Sequence, residues 1–580
     1  MAEVKIQTER VDDIPLLIHQ QQRMGIPEVL DNVISPHGNR QGMSVGWLTT
    51  GWIGYILSEA DHRMSEVESW AAERMETLTG LLPGLVGEKD FADDRLADVL
   101  RWLSDDECWT DIEEQLGPRL IRVYDLNCHL IRLDSTTAAV YHDSKGNTLF
   151  RHGHSKDHRP DLAQFKVMLA TLDPMGMPLA TLVVAGNEDD DGLYVPAVKR
   201  AHPVVGQGGR LYVGDAKMGA LATRAFVQAG GDYYLTPLAR VGKVPELMTS
   251  LLKPVWEKKQ QVHRINAQSA NGSSDSEDEP KLLGLGFEST RKQEAQVDGK
   301  AVTWQERVLV VYTPTLARRA RRGLAERLDR AEQALLALTP SPGRGKRQWD
   351  DLEALQETAE AILKRYRVEG LLQVHYEREV KQRTIRKYRD RPARTEETVC
   401  YVVQVTRDRN AIHVVRRSMG WRLYVTNMTA ETYSLAEAVW DYRGAPNIEQ
   451  DFRRLKGHPL GIRPLYVRRQ DHAKGMVRLL SLALRVLTVT EHVVRRQLQV
   501  IGETLSGLYA GNPKRQTARP TTERLFKAFR GITLTIVQLP EQVIRHVTPL
   551  SDLQQRILVL LELPASTYEN LTLPAQPIPP

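Results

Sequence analysis

The chain has 580 residues, of which 41% are hydrophobic and 26% are charged, and its formal net charge is +5 at pH 7. This composition is typical of a soluble globular protein with several domains. No apolar run reaches the ~18 residues of a membrane span, and residues 1–10 lack the apolar core of a signal peptide. Three cysteines without a Cys-x-x-Cys spacing argue against a disulfide framework and a zinc ribbon. We therefore expect a cytoplasmic protein without a membrane partner.

Residues 1–118 are predicted to form a helical N-terminal domain. Helical patterns cover Ile14–Gln22, Val45–Glu59 and Met64–Leu81. Residues 88–114 are conspicuously acidic, and such a surface would repel phosphate. We expect this acidic stretch to face protein or solvent.

Residues 119–238 change to a pattern of short strands with interspersed helices, which predicts an α/β core. Apolar runs lead into Asp134 and Asp215, and we expect each aspartate to close a strand. The turn signal Asp173–Gly176 predicts a β-hairpin between Gln164–Leu172 and Pro178–Ala185. Because α/β folds bind ligands at strand ends, the two aspartates are placed at a candidate site.

Residues 239–426 are predicted to be a large β-rich insertion. Residues 266–280 form a polar, low-complexity tract that predicts a disordered loop. A helical hairpin is predicted from Thr315–Leu338 and Trp349–Val368. The strand-like runs are Arg307–Tyr312, Leu371–Tyr376, Val399–Val405, Ile412–Val415 and Leu423–Val425.

Residues 427–460 are predicted to close the core with a helix at Pro446–Lys456. Proline suits the first turn of a helix, and no breaker follows it before Gly457. One helical face is apolar, and an adjoining face carries Glu449, Arg453 and Lys456. A carboxylate among bases suits a metal ion and a DNA phosphate, although a solvated charge face is the alternative.

Residues 461–563 are predicted to be a basic helical C-terminal domain. The strongest basic patch of the chain lies here and includes Arg468 and Arg469, together with Lys474, Arg478 and Arg485. Residues 564–580 are proline-rich and are predicted to be a disordered tail.

The three acids Asp134, Asp215 and Glu449 come from separate predicted elements. Three carboxylates can hold two Mg²⁺ ions for in-line phosphoryl transfer at DNA, because Mg²⁺ prefers oxygen ligands. Asp134 could instead be a strand-end turn former, and Asp215 could cap the helix predicted at Met218–Gln228.

The blocks Ile131–Thr137, Leu211–Lys217 and Tyr442–Lys456 resemble the three acidic blocks of bacterial insertion-sequence transposases of the DDE class. The chain is most similar to the group with a Tyr-Arg-Glu-Lys signature around the last acid. Tyr442, Glu449 and Lys456 have the signature's spacing, whereas Ala445 stands at its arginine position and Arg443 is the nearby substitute. The segment Gly153–Asp161 also resembles a block of one branch of that group.

The resemblance implies a ribonuclease H-like core with Asp134, Asp215 and Glu449 as catalytic metal ligands for two Mg²⁺ ions, for which Mn²⁺ can substitute. It implies that Tyr442 and Lys456 contact DNA near the scissile phosphate. In similar transposases the insertion carries a tryptophan that stacks on a flipped base, for which Trp304 is the candidate; a packing tryptophan is the alternative.

Other DNA contacts are expected from basic side chains. The loop with Lys156, His158 and Arg159 suits a phosphate, with a zinc site and a solvated loop as alternatives. The full set of expected DNA-binding residues is Tyr442, Arg443, Arg453, Lys456, Trp304, Lys156, His158, Arg159, Arg468 and Arg469.

The expected function is a transposase that binds the ends of its element, cleaves DNA with metal ions and joins the 3′ ends to a target. Its partners would be double-stranded DNA, as terminal repeats and target, and a second copy in a homodimer. It would be bacterial and nucleoid-associated when bound to DNA. The alternatives are a catalytically inactive, transposase-derived DNA-binding protein and a stand-alone ribonuclease H-like nuclease.

Overall fold

The computed structural model describes residues 4–36, 42–84, 86–87, 89–142, 144, 146–266, 282–341, 348–385, 394–444, 446–465 and 467–573. The strands are β1 Lys5–Arg10, β2 Leu130–Ala139, β3 Gln164–Leu172, β4 Met177–Ala185, β5 Leu211–Gly214, β6 Tyr233–Pro237, β7 His263–Asn266, β8 Leu282–Val297, β9 Lys300–Tyr312, β10 Leu372–Ile385, β11 Arg394–Arg407, β12 Trp421–Thr426, β13 Thr533–Gln538 and β14 Val543–Val547. The predicted loop 266–280 falls outside the described residues except for Asn266, which ends β7.

The α-helices lie between these strands and beyond them, and the first seven follow β1 in succession. They are α1 Ile14–Met24, α2 Ile26–Val33, α3 Val45–Glu59, α4 Val67–Ala72, α5 Met75–Leu81, α6 Asp93–Ser104, α7 Asp106–Tyr124, α8 Tyr194–Val205, α9 Leu221–Ala229, α10 Val244–Trp256, α11 Pro314–Leu336, α12 Leu352–Tyr366, α13 Arg409–Ser418, α14 Leu435–Arg443, α15 Pro446–Lys456, α16 Gln470–Ile501, α17 Thr522–Lys527, α18 Asp552–Leu560 and α19 Ser566–Glu569. Among the described residues, none of these helices is long and apolar enough to cross a membrane.

A nine-stranded mixed sheet organises the molecule. Its order is β4-β3-β2-β5-β6-β12-β9-β8-β7. Strands β2, β5 and β6 run parallel to one another, and the remaining neighbours pair antiparallel. The predicted hairpin of β3 and β4 is confirmed, with its turn at residues 173–176. The α/β class is thus confirmed, as a mixed sheet covered by helices.

The long β2 strand differs from the sequence prediction at Asp134. We expected Asp134 to end a strand, but β2 continues through it to Ala139. The next residues, Ser135 and Thr137, are buried and pair with Met168 and Lys166 of β3. Small hydroxyl and β-branched side chains fit a buried strand, so the polar run does not break it. The turn-former alternative for Asp134 is therefore wrong.

The segment between β6 and α14 contributes to two different units. Strands β7, β8, β9 and β12 extend the nine-stranded sheet, whereas β10 and β11 form a separate two-stranded ribbon. The predicted helical hairpin is present as α11 and α12, which share an apolar core with the ribbon. The strand predicted at Ile412–Val415 is wrong, because α13 covers it. The side chain of Asp408 accepts the N–H of Ala411 at 2.9 Å and so caps this helix.

The N-terminal and C-terminal parts of the chain pack into one helical unit beside the sheet. Strand β1 pairs with β13 in a three-stranded sheet, and α16 packs against α3, α6 and β4. Acids of the N-terminal stretch meet bases of α16. Lys474 pairs with Asp106 at 2.7 Å, and the fully buried Arg485 pairs with Glu113 at 3.0 Å. Lys474 and Arg485 of the predicted basic patch are therefore structural.

The chain after Leu563 is also partly ordered, so the prediction of a disordered tail is wrong for residues 564–573. Helix α19 places Tyr568 in the core, where its hydroxyl donates to the carbonyl of Asp12 at 2.9 Å. Its ring stacks on Phe529, with centroids 5.6 Å apart. One buried aromatic and Leu571 anchor this end, despite its polar composition. Residues 574–580 lie outside the described chain.

Candidate active site

Asp134 and Asp215 lie side by side on neighbouring parallel strands. Leu133 of β2 is in register with Gly214, the last residue of β5, and the two aspartates follow them. Neighbouring strands are about 4.8 Å apart, so the two carboxylates face a common space beside the end of β5. The sequence prediction that the two residues meet is supported, although Asp134 lies within its strand.

Asp215 is held by three polar contacts. Tyr194 donates its hydroxyl to Oδ1 at 2.6 Å, and the N–H of Lys217 donates to the same atom at 2.8 Å. Thr236 of β6 donates to the Asp215 carbonyl at 2.6 Å. Helix α9 begins only at Leu221, with Ala220 at its N-cap, so the helix-cap alternative for Asp215 is wrong.

Gly214 gives Tyr194 access to this carboxylate. A Cβ at Gly214 would lie 3.0 Å from Cε1 of Tyr194 and 2.7 Å from the sulfur of Met218. Such distances are shorter than ordinary packing contacts, so a larger residue would displace the tyrosine ring. The small residue before Asp215 therefore helps to fix the Tyr194 contact.

A lysine lies next to Asp134. The Nζ atom of Lys156 is 3.7 Å from Oδ1 of Asp134 and 3.5 Å from Oδ2 of Asp190. Asp190 also pairs with the buried Lys166 at 2.7 Å. Lys156, which we predicted to contact DNA, is thus part of the carboxylate cluster.

The carboxyl of Asp134 has a perturbed proton affinity. Its pKa is raised to about 6, mainly by burial; Lys156 and the N–H of Ser135 oppose the rise, and the negative charges of Asp215 and Asp190 add to it. The backbone N–H of Ser135 donates to Oδ1 at 2.7 Å. Strongly perturbed carboxyls at a strand edge are frequent at functional sites.

Glu449, the third predicted acid, is exposed at the start of α15. Among the described residues, no three side chains of His, Cys, Asp or Glu are grouped closely enough to hold a metal ion. The structure therefore brings Asp134 and Asp215 together, and it leaves Glu449 apart from them.

Helix α15 forms as predicted and packs by its predicted apolar face. Ile448, Phe452 and Leu455 are buried in the main core. On its polar side, Lys456 donates to Oδ1 of Asp157 at 2.8 Å, and this contact links the helix to the loop before β3. Lys456 was expected on DNA, and in this structure it is paired with a carboxylate.

Two further polar contacts fix α15 at its ends. Asn447 donates to Asp173 of the β3–β4 turn at 2.9 Å. Near the other end, the buried Arg454 donates to Glu523 of α17 at 2.7 Å and also pairs with Glu491 of α16. The helix is therefore joined to the sheet and to the C-terminal region.

Arg453 is exposed and lines an open hollow of about 770 Å³. Arg463, which pairs with Asp157 at 3.0 Å, lines the same hollow together with Tyr141 and Lys456.

Arg159 lies 5.7 Å from the centroid of the Tyr141 ring and pairs with Asp161 at 2.7 Å. The neighbouring His158 is exposed and has a φ of 57°. Arg159 and the cations that line the hollow, Arg453, Lys456 and Arg463, form a basic surface beside α15.

A cleft of about 810 Å³ opens beside Asp215. Tyr442 lines it and packs on Tyr424 with ring centroids 4.7 Å apart, and burial raises the pKa of Tyr442 to about 12. The opposite wall includes helix α11, and the arginines of the cleft are Arg240, Arg319, Arg327 and Arg422. A carboxylate at one end and guanidinium groups along the wall suit a substrate that carries phosphates.

Arg443, predicted to contact DNA, instead ties α14 to the sheet. Its Nη2 donates to the carbonyl of Leu283 in β8 and lies 3.5 Å from the hydroxyl of Thr313. Ala445, at the signature's arginine position, lies outside the described residues. Arg443 is thus bonded to one backbone carbonyl and lies beside one hydroxyl in this structure.

Trp304 occupies a buried position that does not suit base stacking. Its side chain is 6% exposed, and its indole N–H donates to the hydroxyl of Tyr234 at 2.8 Å. Tyr234 in turn donates to Glu306 at 2.6 Å, and Glu306 also pairs with Arg291. The ring therefore offers no free face, and the structure favours the packing alternative.

Arg468 and Arg469 precede α16 and are both exposed, as predicted for DNA contacts. Arg469 pairs with Asp471 at 2.6 Å.

Sequence reasoning missed Tyr194 and Asp190. The acidic run of residues 188–191, which precedes α8, was a usable signal for Asp190. Tyr194 gave none, since a tyrosine on an apolar helical face is indistinguishable from a core residue.

The donor set of this cluster fits a divalent metal ion. Asp134 and Asp215 supply carboxylate oxygens, which are the ligands that Mg²⁺ prefers. Burial, with a smaller contribution from the negative charge of Asp215, raises the pKa of Asp134, and a bound cation would counteract this rise. Glu449 would complete a three-acid set.

The mixed sheet thus carries paired aspartates on neighbouring parallel strands, and one of them, Asp215, lines a cleft that also carries arginines. The family model described as a transposase DDE domain matches residues 130–486, more than half of the chain. The chain therefore belongs to the DDE transposase family.

No curated protein matches the chain. A similar solved structure is that of a piggyBac transposase synaptic complex with hairpin DNA, at 9% identity and a TM-score of 0.33, covering 90% of this chain and 81% of that one.

Proposed function

We propose that the chain is a transposase that binds element ends, cleaves DNA and joins the 3′ ends to a target. The observation that carries the proposal is the pair Asp134 and Asp215, held side by side on neighbouring strands, with Asp215 lining a cleft that also carries arginines. The family of the chain supports the same activity. The strand order β4-β3-β2-β5-β6, with β2, β5 and β6 parallel, supports a ribonuclease H-like core.

Asp134, Asp215 and Glu449 would hold two Mg²⁺ ions, for which Mn²⁺ can substitute. When bound, the ions would supply an activated hydroxyl nucleophile and would stabilise the leaving 3′-oxygen. Tyr194 orients the Asp215 carboxylate through its 2.6 Å hydrogen bond. Since Glu449 is exposed here, we propose that it joins the pair when DNA and metal ions bind.

The arginines of the cleft and the basic hollow beside α15 would bind DNA phosphates. Arg319, Arg422 and Arg453 are exposed, so they can meet a phosphate without losing a buried partner. Such contacts neutralise phosphates and fix the position of the duplex without reading its sequence. A homodimer, in which each subunit holds one element end, is part of the proposal.

The test is cleavage and joining of a labelled element-end duplex with Mg²⁺. The native chain should nick and join at the element end, whereas Asp134→Asn and Glu449→Gln should bind the duplex without cutting. Hydrolysis without a joined product would favour a nuclease. Binding without cutting by the native chain, under Mg²⁺ or Mn²⁺, would favour a DNA-binding protein that no longer catalyses.

A further inference from the structure

A lysine ammonium lies inside the carboxylate cluster, in the place where a cation is expected. Nζ of Lys156 donates to the carbonyl of Ser135 at 2.6 Å and to its hydroxyl at 2.8 Å. The same atom is 3.7 Å from Asp134 and 3.5 Å from Asp190. Its short contacts are thus to Ser135, and its contacts with the two carboxylates are longer.

The lysine is anchored from both of its ends. Its backbone N–H donates to the hydroxyl of Thr137 at 3.0 Å, which fixes the loop against β2. Asp190 is fixed in turn by Lys166, whose ammonium donates to the Glu188 carbonyl at 2.5 Å and to the Asp190 carboxylate at 2.7 Å. An ammonium held in this way has little freedom to reach a distant DNA phosphate.

We propose that Lys156 is an internal counter-cation, which neutralises Asp134 in the metal-free protein and yields that carboxylate to a divalent cation. The inference rests on the proposed function, because it takes Asp134 to be a cation ligand. When a divalent cation replaces Lys156 as the partner of Asp134, no short hydrogen bond breaks. The ammonium keeps its two hydrogen bonds to Ser135 and its ion pair with Asp190. Lys156 is therefore a positioning residue of the site rather than a DNA contact.

The proposal has a consequence in the absence of DNA. An ammonium within a few ångströms of a bound divalent cation repels it strongly in a partly buried site. Removing the ammonium should therefore tighten cation binding. A lysine whose task is to contact DNA would not change cation binding to the free protein.

The experiment is calorimetric titration of the DNA-free, full-length chain with Mn²⁺ at pH 8. Lys156→Met removes the ammonium, and Lys156→Gln keeps a donor for Ser135 in case the methionine variant does not fold. The matched control is Lys217→Met, which removes a lysine two residues after Asp215. Lys217 pairs with Asp191 at 3.1 Å, and its side chain is 55% exposed. Asp134→Asn reports whether the cation binds at Asp134, and circular dichroism confirms the fold of each variant.

The expected result is that Asp134→Asn loses the binding, both Lys156 variants tighten it about tenfold, and Lys217→Met changes it less than about threefold. Unchanged or weaker binding in the Lys156 variants, with binding still lost in Asp134→Asn, overturns the inference alone. Equal tightening in Lys156→Met and Lys217→Met also overturns it, since general charge would then suffice. If Asp134→Asn binds Mn²⁺ as tightly as the native chain does, Asp134 is not a cation ligand. That outcome overturns the inference and also the metal-ligand role of Asp134 in the proposed function.

Discussion

Tyr194 donates its phenolic hydrogen to Oδ1 of Asp215 across 2.6 Å, from the first residue of α8 to the residue that follows β5. Burial and the nearby Asp215 charge raise the pKa of this tyrosine, so it stays protonated and can act only as a donor here. The carboxylate of Asp215 therefore has its Oδ1 atom held by Tyr194 and by the N–H of Lys217.

The first prediction tests this contact. Tyr194→Phe should lower the rate of element-end cleavage about tenfold and leave DNA affinity unchanged, because a hydrogen bond to a charged group contributes about 1.5–3 kcal/mol. Single-turnover cleavage and filter binding measure the two effects. The control is Tyr212→Phe on β5, since within the described chain the buried Tyr212 hydroxyl has no hydrogen-bond partner. Equal effects of the two substitutions would contradict a specific role for Tyr194.

The second prediction concerns pH and Asp13. Burial raises the pKa of this carboxyl from 3.8 to about 6, although Ser58 donates to it at 2.6 Å. Between pH 4 and 6 the folded chain keeps a proton that the unfolded chain releases, so stability falls as pH rises through this window and stays low above it. Asp13→Asn should therefore raise the free energy of unfolding at pH 8 by up to about 3 kcal/mol, and hardly at pH 4. Urea unfolding at both pH values measures the difference, and an equal gain at both would contradict the titration.

The third prediction separates packing from DNA contact at Trp304. Trp304→Phe should lower the free energy of unfolding by about 1–3 kcal/mol, because it leaves the buried Tyr234 hydroxyl without its donor. Trp440→Phe, at a side chain that is 49% exposed, should change stability little. Element-end affinity, measured where both variants are folded, should not change. A loss of affinity confined to Trp304→Phe would restore the base-stacking interpretation.

The fourth prediction concerns the wall of the cleft. Arg319→Ala should weaken element-end binding and lower the slope of log affinity against log salt by about one, because each neutralised phosphate contributes about 0.9 to that slope. Arg322→Ala is the control from the same helix, since Arg322 pairs with Glu326 at 3.0 Å and does not line the cleft. Fluorescence anisotropy from 50 to 300 mM salt gives both slopes. Equal slopes for Arg319→Ala and the native chain would place DNA outside the cleft.

The fifth prediction concerns the exposed bases before α16. Replacing Arg468 and Arg469 together by alanine should weaken binding and flatten its salt dependence, while thermal stability stays within about 1 kcal/mol, because exposed ion pairs contribute little. A native salt slope in the double variant would remove this surface from the DNA interface.

By contrast, Arg485→Met should destabilise the fold by about 3–5 kcal/mol, since it leaves the buried Glu113 without this partner.

Elements with a strong local signal were predictable from the sequence. Helix α15 has the predicted bounds, because a first-turn proline and a following glycine mark its ends. The β3–β4 hairpin was equally clear from its turn. Residues 412–415 were misassigned because so short a run, with three β-branched apolar residues and one histidine, cannot separate a strand from a helix. The capping contact of Asp408 favours the helix.

The candidate site was predictable only in its acids. The pairing of Asp134 with Asp215 follows from strand register, which sequence patterns imply but do not fix. The positions of Lys156 and Lys456 could not be predicted, since their carboxylate partners Asp190 and Asp157 come from other parts of the chain. The position of Arg485 could not be predicted either. Its place in a basic helical pattern suggests exposure, whereas in the structure it pairs with Glu113 of α7.

The pairing of β1 with β13 has a consequence for synthesis of the protein. Lys5 is opposite Gln538, so the first strand has no partner until nearly the whole chain has left the ribosome. At about 5–20 residues per second, this delay is roughly half a minute to two minutes. The nine-stranded sheet, whose strands lie between β2 and β12 in the chain, can therefore form before β1 has its partner. In a newly made molecule, the sheet that carries Asp134 and Asp215 would form late in translation, and the pairing of β1 with β13 would form last. At that point the messenger RNA that encodes the protein is still nearby.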